Sequence, residues 1–181
     1  MVYVFLADGF EEVEALTVVD VLRRGGVPVK TCSIMKREEV IGAHNIKVLA
    51  DLTFEEADFD SCKALVLPGG LPGASHLEAH AGLAEQIKAF HKAGKTVAAI
   101  CAAPMVFGTC GILEGKKATI YPGMEDRLTS AEPTYANVTV DGNIITGRGP
   151  ALAMEFGLAV LEKVADKDTA EEVAEGLLFT I

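Results

Sequence analysis

Short apolar runs recur along this chain with helix-length amphipathic stretches between them, and that alternation restricts its fold more than any other feature. Residues 2–6 (VYVFL) are almost unbroken in apolarity, the pattern of a strand buried on both faces. Residues 11–24 carry Val13, Leu16, Val19 and Val21 among their apolar positions and stop at Gly25-Gly26, the pattern of a helix. A strand follows at 27–33, then a short pair at 40–42 and 46–50, and a Thr-x-x-Glu helix start over 53–58. The unit repeats as a strand at 64–67 running into Pro68-Gly69-Gly70, a helix at 83–93 closed by Gly94, a strand at 96–100 and a helix at 102–109. Further strands are predicted at 117–120, 138–140 and 144–146, the last two joined by the hairpin signal Asp141-Gly142-Asn143, with closing helices at 151–164 and 169–178. Strands separated by helices of this length pair in parallel. The expected fold is therefore α/β, a mostly parallel sheet with helices on both faces and ligands at the carboxyl ends of the strands.

Bulk properties narrow the function. No linker, repeat or low-complexity segment divides the 181 residues, so one domain over 1–181 is expected. The chain opens on an apolar stretch followed by acids, unlike a signal peptide, and no apolar run approaches the ~20 residues of a membrane span. A soluble, cytoplasmic protein is expected. A net charge of -10 argues against binding nucleic acid or anionic membranes, and the lack of tryptophan leaves little for base stacking. Cys32, Cys62, Cys101 and Cys110 form no CxxC or CxxH pairing, so neither a metal site nor a disulfide framework is signalled.

Three segments fall at carboxyl ends of predicted strands and should converge: 8–14, Pro68-Gly69-Gly70, and Cys101. Around Cys101 the sequence AAICAAP places one nucleophilic residue between a strand and small residues that open a helix, the layout of a nucleophile elbow. A helix N-terminus aimed at the sulfur would lower its pKa, whereas Cys32, Cys62 and Cys110 have no such setting; ordinary packing is the competing role for all four. Of the acids, Glu11 and Glu12 read as a solvated first helical turn. Glu14 falls nearer the buried side, where a carboxyl tends to keep its proton and can donate to a thiolate. Pro68-Gly69-Gly70 is either a plain turn or a set of unobstructed backbone N–H donors, and Arg148 either a loop residue or an anion-facing one.

Taken in order, Gly9-Phe10-Glu11-Glu12-Val13-Glu14, Leu67-Pro68-Gly69-Gly70, Ala99-Ile100-Cys101-Ala102-Ala103-Pro104 and Thr146-Gly147-Arg148-Gly149-Pro150 resemble the ThiJ/PfpI superfamily, in particular its protein-deglycase branch. The resemblance implies a flavodoxin-like sandwich, commonly a homodimer, working without a cofactor. It makes Cys101 the nucleophile, Glu14 its protonated partner and proton shuttle, and Gly69, Gly70 and Ala102 backbone donors, with Asp20, Arg24 and Arg148 near the site or the dimer contact. The implied activity is conversion of methylglyoxal to lactate or repair of early glycation adducts on side chains. The alternative is a non-catalytic redox sensor or chaperone that uses oxidation of the same cysteine. Two departures stand out. Tyr121 occupies a position where the branch commonly has histidine, which leaves proton transfer to Glu14 or water. Ala102 follows the cysteine where protease-like and amidotransferase-like relatives carry histidine, and no His-x-Glu occurs, so proteolysis and glutamine hydrolysis are disfavoured.

Overall fold

The computed structural model describes residues 1–180, and no helix among them is long and apolar enough to cross a membrane. The described residues form eleven strands: β1 (Val2–Leu6), β2 (Val29–Ser33), β3 (Glu39–Ile41), β4 (Lys47–Leu49), β5 (Leu52–Thr53), β6 (Ala64–Leu67), β7 (Thr96–Ile100), β8 (Lys117–Ala118), β9 (Glu132–Pro133), β10 (Val138–Asp141) and β11 (Ile144–Gly147). The helices are α1 (Glu12–Arg24), α2 (Gly73–Ala79), α3 (Ala81–Lys92), α4 (Pro104–Cys110), α5 (Ala153–Val164) and α6 (Lys167–Gly176). Seven strands form the main sheet in the order β10-β11-β7-β6-β1-β2-β5, parallel throughout except for β10. This is the flavodoxin-like arrangement of a mostly parallel sheet between helices.

The strand sequences explain why both faces are covered. In β1, Tyr3 and Phe5 enter one core with Leu65, Leu67, Val97 and Phe107, while Val2, Val4 and Leu6 enter the other with Val18, Leu22, Phe156 and Leu161. Period-two alternation thus sends apolar side chains to both sides, and only a sheet with helices on each face can bury them. β3 and β4 form a separate antiparallel hairpin, and β8 and β9 a small parallel pair.

Several boundaries differ from the sequence reading. The stretch expected to be helical from 102 begins as α4 at Pro104, because residues 101–103 form a turn, and proline is favoured at a first helical position. α2 is a helix beyond those the sequence pattern predicts, and the 53–58 segment is a single 3-10 turn at Phe54–Glu56 closed by a Thr53–Glu56 capping box. On α1, Val13 and Leu16 are 53% and 39% exposed, whereas Glu12 and Glu14 are buried.

Candidate active site

The chain builds outward from β1 through β2 to β5, then returns to lay β6 on the other side of β1. Strand order reverses between β1 and β6, and in open α/β sheets the crevice beyond that reversal is where ligands bind. Residues 8–11 leave β1 and Pro68-Gly69-Gly70 leaves β6 at this crevice, tied together by Glu11 N–H donating to Gly69 O (2.9 Å). β7 delivers Cys101 to the same edge. The cysteine has φ +62°, a left-handed conformation that side chains other than glycine's rarely adopt, and it is held there by Cys101 N–H to Gly147 O (2.9 Å) and Tyr121 N–H to Cys101 O (2.9 Å). The side chain is 8% exposed. Strain at a strand-to-helix turn that presents one sulfur is the geometry of a nucleophile elbow.

Glu14 comes to this sulfur from the first turn of α1. Its side chain has no solvent exposure; Oε2 accepts from Gly69 N–H (2.6 Å), and Oε1 makes no hydrogen bond of ordinary geometry. The Cys101 thiol is the group in range to share a proton with this carboxyl. Gly69 is the spacer between them. A Cβ there would lie 2.7 Å from Cys101 Cβ and 2.8 Å from Glu14 Oε2, so only glycine allows the approach. Its N–H is spent on Glu14, so Gly69 is not a donor to the sulfur; that role falls to the N–H groups of Gly70 and Ala102.

Burial pushes the Glu14 carboxyl from its ordinary 4.5 up to about 7, against the Gly69 donor and the Cys101 contact. Burial, then the charge of Glu14, pushes the Cys101 thiol up to about 12, against the Gly70 and Ala102 donors. The expectation of a lowered thiol pKa is therefore reversed. Its premise is a helix N-terminus at the sulfur, but α4 starts beyond the turn, and burial, joined by the carboxylate alongside, outweighs two backbone donors. The two groups titrate as a pair that gives up one proton near neutrality and resists giving up a second. The single negative charge then resides either on the carboxylate, facing Gly69, or on the sulfur, facing Gly70 and Ala102.

The sulfur opens into a cavity of about 200 Å³ lined by Gly70, Leu71, Ala102, Tyr121 and Met124. Tyr121, 46% exposed, also lines a second recess of about 330 Å³ with Arg148, Gly149 and Leu152. Arg24 is elsewhere. It ends α1, ten residues and roughly 15 Å along the helix from Glu14, paired with Asp20 (2.6 Å). Within one chain neither residue is near the site.

Glu12 corrects a further expectation, because it is 4% exposed rather than solvated. The β3–β4 hairpin folds over the start of α1, and Glu12 accepts from His44 N–H (2.8 Å), meets His44 Nδ1 (2.8 Å) and packs against Gly42. The Glu12 carboxylate in turn raises the His44 imidazole. Ligand atoms of Glu11, Glu12 and His44 lie within 4.8 Å of one another, the one such grouping among the described residues, but Glu12 already spends its oxygens on the hairpin. Cys32 and Cys62 are buried thiols, Cys32 pushed up to about 12 by burial and Cys62 donating to Ala64 O (3.2 Å).

Known proteins resemble this chain in sequence and fold. The model of the DJ-1/PfpI family matches residues 1–163. Protein dj-1beta of Drosophila melanogaster is 37% identical over 177 residues, covering 97% of this chain and 95% of the relative. Arabidopsis thaliana protein DJ-1 homolog B is 38% identical over 174 residues; the match takes in 96% of this chain but 40% of that protein, so the chain spans well under half its length. Among solved structures, oxidized Toxoplasma gondii DJ-1 superposes with a TM-score of 0.95 at 34% identity, covering 99% of this chain and 98% of the other.

Proposed function

Since the chain belongs to the DJ-1/PfpI family, we propose that it is a cofactor-independent, cysteine-dependent enzyme acting on small α-oxoaldehydes such as methylglyoxal, or on the early glycation adducts they form. One observation carries this reading: a fully buried carboxyl, ionising near neutrality, set beside a strained cysteine with which it can share a proton. A proton held between two such groups is suited to a reaction that consists of moving one proton between adjacent carbons.

In the proposed sequence the Cys101 sulfur adds to the aldehyde carbon, a C–S bond forms, and the carbonyl oxygen takes the Glu14 proton to give a hemithioacetal. The Gly70 and Ala102 N–H groups support the developing oxyanion. Glu14, now a carboxylate, removes the hydrogen from the former aldehyde carbon and passes that proton to the ketone oxygen, leaving an enediol and the carboxylate again. The carboxylate then takes the hydroxyl proton from the sulfur-bearing carbon and delivers it to the neighbouring carbon, which yields an α-hydroxy thioester. Water cleaves the thioester, releasing lactate and the thiol. One water is consumed and no oxidant is required. Tyr121 can orient a carbonyl oxygen but is a poor base at neutral pH, which leaves the proton to Glu14.

Lactate formation from methylglyoxal by the purified protein, abolished in Cys101→Ser, is the expected result; turnover that survives the substitution would remove the sulfur from the mechanism. A second reading uses the same atoms. The Gly70 and Ala102 donors suit the oxygens of a sulfinate on Cys101, and a solved relative is described as oxidized. Peroxide-driven gain of two oxygens at Cys101, without turnover of methylglyoxal, would favour a sensor. We also propose a homodimer in which Val13 and Leu16, apolar and exposed on α1, contact a second copy.

A further inference from the structure

Arg148 sits apart from the other arginines. Of the five in the chain, Arg23, Arg24, Arg37 and Arg127 are each paired with a carboxylate, from Asp51, Asp20, Asp8 and Glu78 respectively. Among the described residues the Arg148 side chain has neither an ion pair nor a hydrogen bond, although it is half-buried in a strongly acidic protein. Carboxylates on the flanking segments are already engaged, Glu125 with Gly123 N–H (2.9 Å) and Glu155 with Asn137 Nδ2 (3.0 Å). A half-buried guanidinium without a protein partner keeps its fork of N–H donors free, and an anionic ligand can take them in paired, charge-assisted hydrogen bonds.

Its place in the sheet puts it beside the reactive sulfur. β11 pairs with β7 in the register Gly147↔Ile100, and the Cys101 N–H donates to Gly147 O, so Arg148 is the residue opposite Cys101 as both strands end. The recess it lines adjoins the Cys101 cavity across the Tyr121 ring, whose Cδ2 and Cε2 lie over Gly149. Alone, the Cys101 cavity of about 200 Å³ is small beside ordinary ligand pockets of roughly 300–1,000 Å³; with the Arg148 recess the combined space enters that range.

We propose that Arg148 is an anion subsite of the Cys101 site, and that the substrate is an α-oxoaldehyde carrying a carboxylate or phosphate a few atoms from its reacting carbonyl. The carbonyl end lies against the sulfur and the Gly70 and Ala102 donors, the Tyr121 ring flanks the linking carbons, and the guanidinium takes the anion through paired N–H donors. The inference rests on the enzymatic reading above for the reaction, though not for the binding. Methylglyoxal fills only the carbonyl half of such a site.

The test compares γ,δ-dioxovalerate, an α-oxoaldehyde ending in a carboxylate, with its neutral methyl ester, following α-hydroxyglutarate or its monoester. In the unaltered protein kcat/KM should favour the acid by about ten-fold or more. That ratio should fall to near one in Arg148→Met, a loss of about ten-fold or more taken chiefly through KM for the acid, and be partly retained in Arg148→Lys. A ratio that Arg148→Met leaves unaltered overturns the proposal. If neither compound turns over, the enzymatic reading fails and binding alone decides. Glutarate should then slow iodoacetamide alkylation of Cys101 in the unaltered protein more than neutral glutaramide does, and lose that advantage in Arg148→Met. Equal protection by the two compounds, or protection that survives the substitution, also overturns the anion subsite.

Discussion

Replacing Glu14 by glutamine should make the protein more stable above neutral pH while removing its proton shuttle. The magnitude follows from the carboxyl's surroundings. In the unfolded chain this group ionises around 4.5, and in the folded chain around 7. Between those values the folded state holds a proton that the unfolded state has released, so stability falls as pH rises through the window and stays lowered above it. A displacement of this size is worth about 3 kcal/mol. Glutamine fits the same space. Its carbonyl can accept from Gly69 N–H, its amide can face the sulfur, and it has no proton to lose. Urea unfolding of both proteins at about pH 4.5 and about pH 8 isolates the behaviour of the Glu14–Cys101 pair, because titrating groups not coupled to Glu14 cancel in the double difference. The unaltered protein should lose about 3 kcal/mol more than the variant between those conditions, while lactate formation by the variant falls on the order of 10²-fold or more. Parallel pH profiles would refute the reasoning, since they would mean that Glu14 ionises in the folded state as readily as in water.

Limiting iodoacetamide should modify Cys101 first, with a rate rising through neutral pH as the Glu14–Cys101 pair gives up its proton; labelling of Cys32, Cys62 or the less buried Cys110 first, by peptide mapping, would contradict the assignment of Cys101 as the reactive thiol. Gly69→Ala should cost about 1–3 kcal/mol in urea unfolding and suppress turnover, because the added methyl must part Cys101 from Glu14. Unchanged activity would show that the close approach is dispensable. Leu16→Glu should shift a dimer toward monomer in light scattering, and a dimer unaffected by the change would place the contact elsewhere.

The β-α alternation and the convergence of Glu14, the diglycine and Cys101 were legible because each depends on local pattern: an apolar run, then the residue that leaves it. What was not legible depends on contacts distant in sequence. Glu12 reads as solvated because nothing near it announces that His44 will fold back onto it, and the hairpin that does so also supplies its hydrogen bonds. Val13 and Leu16 satisfy a helical apolar spacing, yet Ala15, Val18, Val19, Val21 and Leu22 are the apolar residues that α1 buries. The spacing alone does not say which of two overlapping stripes turns inward. The direction of the thiol shift likewise depends on groups distant in sequence. Pro104 marks the first position of α4 in the sequence, but the weight of a buried carboxylate against two backbone donors emerges only once the burial of both groups is known. The roles of Gly69 as spacer and Arg148 as the arginine without an ion pair needed neighbours that no local motif supplies.

The left-handed backbone at Cys101 bears on how such a chain can change over generations. Serine or alanine at this position would inherit the strain, whereas glycine would relieve it, by on the order of 1 kcal/mol. A lineage that no longer used the sulfur would thus find the more stable protein one substitution away, and drift would carry it there. Keeping a cysteine at φ +62° runs against that slope in every generation. Among descendants of this sequence, the residue at this one turn would distinguish chains that still use the sulfur from chains that have kept only the fold.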